Sequence, residues 1–111
     1  MLDSTLETDI LSEIHERTIK NFMNILILAE LRKRYPVGGY DFIALIHRKF
    51  QIMISSGTVY SVLYSLERDG LIKGMQTSNK RVYELTDKGE ETIEAILKNR
   101  EKIQNFMSTL L

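Results

Sequence analysis

Residues 55–72, SSGTVYSVLYSLERDGLI, carry the pattern that most restricts the fold of this chain. Residues 58–62, TVYSV, are rich in β-branched and aromatic side chains and alternate polar with apolar, which favours a strand. At about 100° per residue, however, four apolar side chains fall within one arc of roughly 100°, the width of a core-facing helical stripe. A strand would place two adjacent members, Val62 and Leu63, on opposite faces. The segment is therefore predicted to be a helix that ends at Gly70. The four apolar residues are Val59, Val62, Leu63 and Leu66.

Two further elements flank this helix. Before it, Pro36 and the pair Gly38-Gly39 predict a turn. A shorter amphipathic helix then runs to Phe50. After it, the β-prone runs LIKGMQT and RVYELT are joined by a short polar segment, which predicts a hairpin with Asn79 near its tip. Two short helices followed by a hairpin form a winged helix-turn-helix, in which the second helix enters the DNA major groove.

Both ends of the chain are predicted to be helical. Apolar residues recur every four positions near the N-terminus, and a break is expected near Arg17 or Thr18. From Phe22 to Leu31 apolar residues surround the helix, which predicts burial on more than one side. The C-terminal segment predicts one helix of about 25 residues, or roughly 37 Å, too long to pack wholly on so small a core.

The predicted fold class is mainly α with a small β hairpin: a winged helix-turn-helix with an N-terminal helix extension and a long C-terminal dimerisation helix. The predicted divisions are an acidic N-terminal helix at 1–17, a winged-helix DNA-binding domain at 18–86 and a dimerisation helix at 87–111. A chain of 111 residues fits a single domain with one modest core.

The formal net charge of zero hides three segments of opposed sign. Residues 1–16 hold five acidic and no Lys or Arg side chains, a net charge of −5. Residues 17–88 hold twelve basic and six acidic side chains, a net charge of +6, and residues 89–111 have a net charge of −1. The positive middle segment is therefore compatible with an acidic partner such as DNA.

Several classes of function are disfavoured by residue content. The chain has no cysteine, and its two histidines, His15 and His47, each lack a nearby second ligand or nucleophile. No glycine-rich phosphate loop is present. We therefore expect neither an enzyme nor a bound cofactor or metal. The N-terminus lacks the features of a signal peptide and no apolar run is long enough to span a bilayer, so we expect a soluble, cytoplasmic protein without a membrane partner.

The 55–72 segment resembles the signature of the PadR family of transcriptional regulators, in which Gly-Thr-Leu/Val-Tyr opens the recognition helix and Leu-Glu-x-x-Gly-Leu-Ile closes it. GGYDF is similar to the Gly-Tyr-Glu/Asp element of that family, and RVYELTDKGEE to its wing strand and following helix. The resemblance covers residues 22 to about 95. It implies a homodimeric, DNA-binding winged-helix regulator, usually a repressor, that reads a pseudo-palindromic operator.

The resemblance and the exposed face of the predicted helix together give the candidate contacts. Hydroxyl groups can donate to phosphate oxygens or base edges, and basic side chains can bind the phosphates of the DNA backbone. The candidate DNA-binding residues are Ser56, Thr58, Tyr60, Ser61, Tyr64, Arg68, Lys80 and Arg81. The candidate dimerisation residues are Ile10, Ile14, Ile93, Ile96, Leu97, Arg100, Ile103, Met107 and Leu110.

This sequence departs from the family pattern in three places. Ser56 and Ser61 stand where prolines are frequent, and the wing has fewer arginines. No tryptophan is present, so the aromatic drug site of some relatives is not carried over, and a small-molecule effector is left open. The alternative to a regulator is a winged-helix protein-interaction module without DNA binding. Arg100 within the C-terminal stripe fits either a snorkelling side chain or half of an interchain ion pair.

Overall fold

The computed structural model describes residues 4–111, which form helices around a small sheet. The helices are α1 (Ser4–Asn21), α2 (Met23–Leu31), α3 (Gly39–Phe50), α4 (Ser56–Arg68), α5 (Asp87–Lys98) and α6 (Arg100–Ser108). The strands are β1 (Val37–Gly38), β2 (Ile72–Gln76) and β3 (Arg81–Leu85). The predicted winged helix-turn-helix is confirmed, with α3 and α4 as its helix pair and β2 and β3 as its wing.

The first helix is longer than predicted. We expected a break near Arg17 or Thr18, but α1 continues to Asn21 and the irregular residue is Phe22, with φ −111° and ψ 20°. The Thr18 hydroxyl donates to the Ile14 carbonyl at 2.7 Å, so it bonds back within α1 instead of capping a new helix. The Phe22 N–H also donates to the Thr18 carbonyl at 3.0 Å. The α1–α2 junction is therefore a local bend.

One hydrophobic core lies between α2, the α3–α4 pair, the sheet and α5. The helix α2 contributes to it from several sides, as its all-round apolar sequence predicted, and the two α4 residues Val59 and Leu63 are almost fully buried. The fully buried large side chains are Phe42, Met23, Ile27, Leu28, Ile46, Leu63, Ile72, Ile93 and Val59. This core holds α4 so that only one of its faces reaches the surface.

The sheet contains one strand more than the predicted hairpin. Its order is β1-β3-β2 and both pairings are antiparallel. The hairpin matches the prediction, with Asn79 in the connection between β2 and β3. The additional strand, β1, is only two residues long, and Val37 lies opposite Tyr83. A strand this short has no alternation to reveal it in the sequence.

The C-terminal segment forms two helices, so the prediction of one long helix is wrong. Asn99 separates α5 from α6 with φ −103° and ψ 19°. Its side-chain amide donates to the Ala95 carbonyl at 2.8 Å, which competes with regular helical geometry at this position. Every residue of α6 is exposed in the single chain. The Cα radius of gyration is 15.8 Å, compared with about 13 Å for a compact domain of this length.

Candidate nucleic-acid interface

The helix α4 begins with a side-chain cap. Ser55 has extended geometry, with φ −68° and ψ 149°, and its hydroxyl accepts a hydrogen bond from the Thr58 N–H at 3.2 Å. The hydroxyl groups of Ser55 and Thr58 also lie 2.9 Å apart, within hydrogen-bond distance. The cap satisfies one of the N–H groups that have no partner within the helix. It also fixes the orientation of Thr58, a candidate DNA contact.

The two faces of α4 are as the sequence predicted. Val59, Leu63 and Leu66 are buried and Val62 is partly buried. The opposite face is exposed and consists of the candidate contacts Ser56, Tyr60, Ser61, Tyr64 and Arg68. The strand-like alternation at the start of this segment therefore reflects a helix with one core face and one surface face.

Tyr60 joins the two helices of the pair. Its ring meets the ring of Tyr40 edge-on, with centroids 6.0 Å apart and an interplanar angle of 76°. A Cβ atom on Gly39 would lie 2.4 Å from the Tyr60 Cζ atom, so the missing side chain makes room for the phenol. Partial burial, followed by the neighbouring Tyr40, raises the pKa of Tyr60. The side chain is nevertheless 39% exposed and accessible to a ligand.

Tyr64 and Arg68 extend the exposed face towards the end of α4. Tyr64 is 68% exposed, and the Arg68 guanidinium carbon lies 5.9 Å from its ring centroid. The Arg68 Nε atom is 3.6 Å from a carboxylate oxygen of Asp69. Both charged groups are well exposed, so this ion pair is weak and leaves the guanidinium available to phosphate.

Lys80, in the connection between β2 and β3, forms an ion pair with α3. Its Nζ atom lies 2.9 Å from Asp41 Oδ2, and the same carboxylate oxygen accepts the Gly38 N–H at 2.8 Å. The hydrogen bond from Lys80, and then that from Gly38, lowers the pKa of Asp41. The carboxylate therefore links β1, α3 and the wing.

Arg81 forms an ion pair with α4. Its Nη2 atom lies 2.8 Å from Glu67 Oε2. Neither Glu67 nor Asp41 was among the candidate residues, although both belong to the motifs that carry the family resemblance. The sequence does contain one indication that Arg81 faces the protein. Alternation along β3 puts Arg81 on the same face as Tyr83, which is buried.

A second exposed surface is apolar and lies at the helical ends of the chain. A groove of about 340 Å³ separates the α1–α2 junction from the C-terminal helices. It is lined by Thr18, Phe22, Ile25, Ile96, Leu97, Arg100, Ile103, Gln104 and Met107. Five of the predicted dimerisation residues therefore lie together. The groove lining also includes Phe22, which sequence reasoning did not select.

The other predicted dimerisation residues differ in exposure. Ile10, Ile14 and Leu110 are exposed, the first two on α1. Ile93 is fully buried within its own chain and offers no surface to a second copy. Its position on the apolar stripe is explained by core packing, because α5 lies against α2 and β3 whereas α6 extends beyond the core.

The described part of the chain offers no metal centre. His15 and His47 are both exposed, and within residues 4–111 no three His, Cys, Asp or Glu side chains form a group that could hold a metal ion. Within the same residues, no helix is sufficiently long and apolar to cross a membrane.

The packed pair α3–α4, followed by a hairpin beside it, defines a winged helix-turn-helix protein. The chain matches the transcriptional regulator PadR-like family over residues 26–95, more than half of its length. It belongs to this family of transcriptional regulators and is not an enzyme. Membership favours a DNA-binding regulator over the alternative of an interaction module.

Solved structures show the same fold. A PadR family regulator from Eggerthella lenta has a TM-score of 0.72 and 22% identity, over 96% of each chain. One from Clostridium difficile has a TM-score of 0.64 and 28% identity, covering 80% of this chain and 97% of that one. Bacillus subtilis PadR in complex with operator DNA has a TM-score of 0.58 and 24% identity, covering 68% of this chain and 46% of that one. No curated protein matches the chain.

Proposed function

We propose that this protein is a homodimeric repressor that binds a pseudo-palindromic DNA operator through α4 and the wing. The observation that supports this most strongly is the exposed face of α4, where hydroxyl, aromatic and guanidinium groups lie opposite a fully packed core face. A helix held in this way can enter the major groove without losing any buried contact. Association with nucleoid DNA in the cytoplasm is part of the same proposal.

The eight candidate residues divide into three groups in this proposal. Tyr60, Ser61 and Tyr64 lie on the outer face of α4, where their hydroxyl groups can reach base edges. Ser56 and Thr58 lie at the start of α4, where phosphate is favoured by the helix dipole. The remaining candidates are basic: Arg68 and Lys80 are positioned to hold the DNA backbone, whereas the Arg81 guanidinium is bonded to Glu67. Lys80 would exchange Asp41 for a phosphate oxygen when DNA binds.

The homodimer is proposed from the exposed apolar residues at the helical ends. Phe106 and Leu110 are 66% and 67% exposed, and α6 has no buried residue. Together with the apolar groove beside α6, these exposed side chains are typical of an interface. A twofold dimer would place its two α4 helices on half-sites about one helical turn apart, roughly 34–36 Å, or a multiple of this.

The complex of Bacillus subtilis PadR with operator DNA supports the proposal, because a protein of the same fold binds DNA. Repression is proposed because the family that the chain resembles consists mostly of repressors, and because a dimer bound across two half-sites would compete with other proteins for the same DNA. Activation would require a contact with the transcription machinery in addition to the DNA contacts.

The proposal is tested by selecting fragments of the native genome that bind the purified protein. An enriched, pseudo-palindromic sequence is expected, and recovery of no enriched sequence would contradict the proposal. With the enriched site in hand, the affinity should fall steeply with salt, and Lys80→Ala should reduce the log–log slope by about 1. The matched control is Lys20→Ala, which removes an equal charge from α1 and should leave the slope unchanged.

A further inference from the structure

The side chain of Arg81 packs against two other residues of the wing, Tyr83 and Gly74. The guanidinium carbon is 5.8 Å from the ring centroid of Tyr83, two residues along the same strand. A Cβ atom on Gly74, which lies opposite Tyr83 on the neighbouring strand, would be 2.5 Å from the Arg81 Nε and Nη2 atoms. The guanidinium thus occupies the space that a side chain at residue 74 would need.

The carboxylate of Glu67 accepts hydrogen bonds from both strands of the wing. Its Oε2 atom accepts the Arg81 guanidinium from β3 at 2.8 Å and the Gly74 N–H from β2 at 3.1 Å. Because β2 lies at the edge of the sheet, N–H groups on its outer side have no partner strand. One side chain of the recognition helix therefore holds the hairpin by two hydrogen bonds.

Resting on the proposed function, we propose that Arg81 is a positioning residue, which together with Glu67 fixes the wing relative to α4, and that Arg81 does not contact DNA phosphate. The planar guanidinium suits this role because it can lie over Tyr83 and bond Glu67 at once. If it turned outwards to a phosphate, it would leave both the Tyr83 ring and the Glu67 carboxylate. Lys80 differs, because its flexible stem can exchange Asp41 for phosphate without disturbing the hairpin.

Two roles of Arg81 are compared: a phosphate contact and a positioning contact through Glu67. Removing Glu67 changes operator affinity in opposite directions under these two roles. If Arg81 contacts phosphate, Glu67 competes with the DNA for the guanidinium, and its loss strengthens binding. If Arg81 acts through Glu67, its loss frees the wing and weakens binding, because ordering the hairpin then opposes association. The ion pair is well exposed, with 44% and 35% of the Arg81 and Glu67 side chains accessible, so little effect on folding is expected from either change.

The first experiment compares Glu67→Ala with the matched control Glu84→Ala in the full chain. Glu84 lies in the same hairpin and pairs with Lys73, so the control removes an equal negative charge without altering the contact with α4. We expect Glu67→Ala to weaken operator binding roughly two- to fivefold relative to the control, the range that ion pairs of this exposure support. Stronger binding than the control would overturn the inference.

The second experiment separates charge from position at residue 81. Arg81→Lys keeps the charge but lacks the planar fork, so it should weaken binding as much as Arg81→Ala. Neither variant should reduce the salt slope, whereas Lys80→Ala should reduce it by about 1. A slope reduced by about 1 in Arg81→Ala, with recovery in Arg81→Lys, would assign a phosphate contact to Arg81 instead.

The third experiment does not depend on DNA. Amide hydrogen exchange in the free protein should be faster at Gly74 in Glu67→Ala than in wild type or Glu84→Ala, because the N–H loses its acceptor. Unchanged exchange at Gly74 would overturn the role of Glu67 even if operator binding is confirmed. If no operator is found but Gly74 exchanges faster, the proposed function fails while the link between Glu67 and the wing stands.

Discussion

The phenol ring of Tyr60 lies over Gly39, in the space that any larger residue at position 39 would fill. A Cβ atom there would come within 2.4 to 2.6 Å of the outer atoms of the ring. The two residues belong to separate motifs, GGYDF at the start of α3 and GTVY at the start of α4. Their contact explains why a glycine in one motif accompanies a tyrosine in the other, and it sets the position of Tyr60 on the proposed DNA surface.

Gly39→Ala should therefore move Tyr60. The ring is the outer end of a partly exposed side chain, so it can swing outwards, and the free energy of unfolding should fall by less than about 1.5 kcal/mol. Operator affinity should fall about as much as in Tyr60→Ala, which removes the side chain while leaving the fold intact. Thermal unfolding and operator titration of both variants measure the two effects.

A double-mutant cycle provides the control for this prediction. If Gly39→Ala acts through the ring, it should have little further effect on affinity in a Tyr60→Ala background, which gives a non-additive cycle. Additive effects would mean that residue 39 acts through another contact. Loss of folding in Tyr60→Ala alone would contradict the assignment of Tyr60 to the surface face.

The cap of α4 gives a prediction about stability. Ser55→Ala removes the acceptor of the Thr58 N–H and should reduce the free energy of unfolding by about 1 kcal/mol. Ser55→Asn is the matched control, because asparagine caps helices about as well as serine and adds no charge. Chemical denaturation measures both variants. Equal stability of the two would show that the hydroxyl contributes nothing measurable to α4.

The ion pair between Asp41 and Lys80 predicts a dependence of stability on pH. The hydrogen bonds from Lys80 and Gly38 hold the pKa of Asp41 below its ordinary value of 3.8. The folded protein therefore binds this proton less readily than the unfolded chain. The resulting stabilisation is complete above about pH 3.8 and is lost as the pH falls through the lower pKa of the folded state.

Urea denaturation between about pH 5 and about pH 2 tests this dependence. Wild type should lose more stability on acidification than Asp41→Asn, which has no titrating group at this position. Lys80→Ala should remove most of the difference, because the hydrogen bond from Lys80 is the largest cause of the lowered pKa. Identical pH profiles for wild type and Asp41→Asn would refute the prediction.

The winged fold and the two faces of α4 could be predicted from the sequence because both depend on local periodicity. The stripe of Val59, Leu63 and Leu66 repeats at the helical interval, and the hairpin is two alternating runs separated by a polar turn. These patterns require no knowledge of distant residues. The family resemblance added a function for the exposed face of α4, because it indicated that this face would meet DNA.

The features that were missed depend on tertiary contacts. The pair Glu67–Arg81 joins residues separated by 14 positions and Asp41–Lys80 joins residues separated by 39, so no sequence period marks them. The bend at Asn99 depends on one side chain that bonds its own helix. Ile93 fits the C-terminal apolar stripe as well as Ile103 does, and only packing against α2 separates the buried residue from the exposed one.

The C-terminal helix gives the prediction about assembly. Truncation after Lys98 removes α6 and leaves the buried core, whose members all lie between Met23 and Ile93, so the shortened chain should fold. If the full chain forms the proposed dimer, sedimentation of the truncated chain should show a monomer, because the exposed apolar residues of α6 are gone. If the truncated chain still sediments as a dimer, the interface lies elsewhere, for example on α1 alone.

A pair of substitutions tests the same interface in the full chain. Ile103→Glu places a charge on the apolar groove and should weaken dimerisation by roughly 2 kcal/mol or more, since a buried carboxylate without a partner is costly. Glu101→Ala, on α6 but outside the groove lining, is the control and should leave the dimer intact. If Ile103→Glu sediments as the wild-type dimer at all concentrations, α6 does not form the interface. If it becomes a monomer with unchanged circular dichroism, operator affinity should fall with it, because each half-site then binds one chain without the contribution of the other.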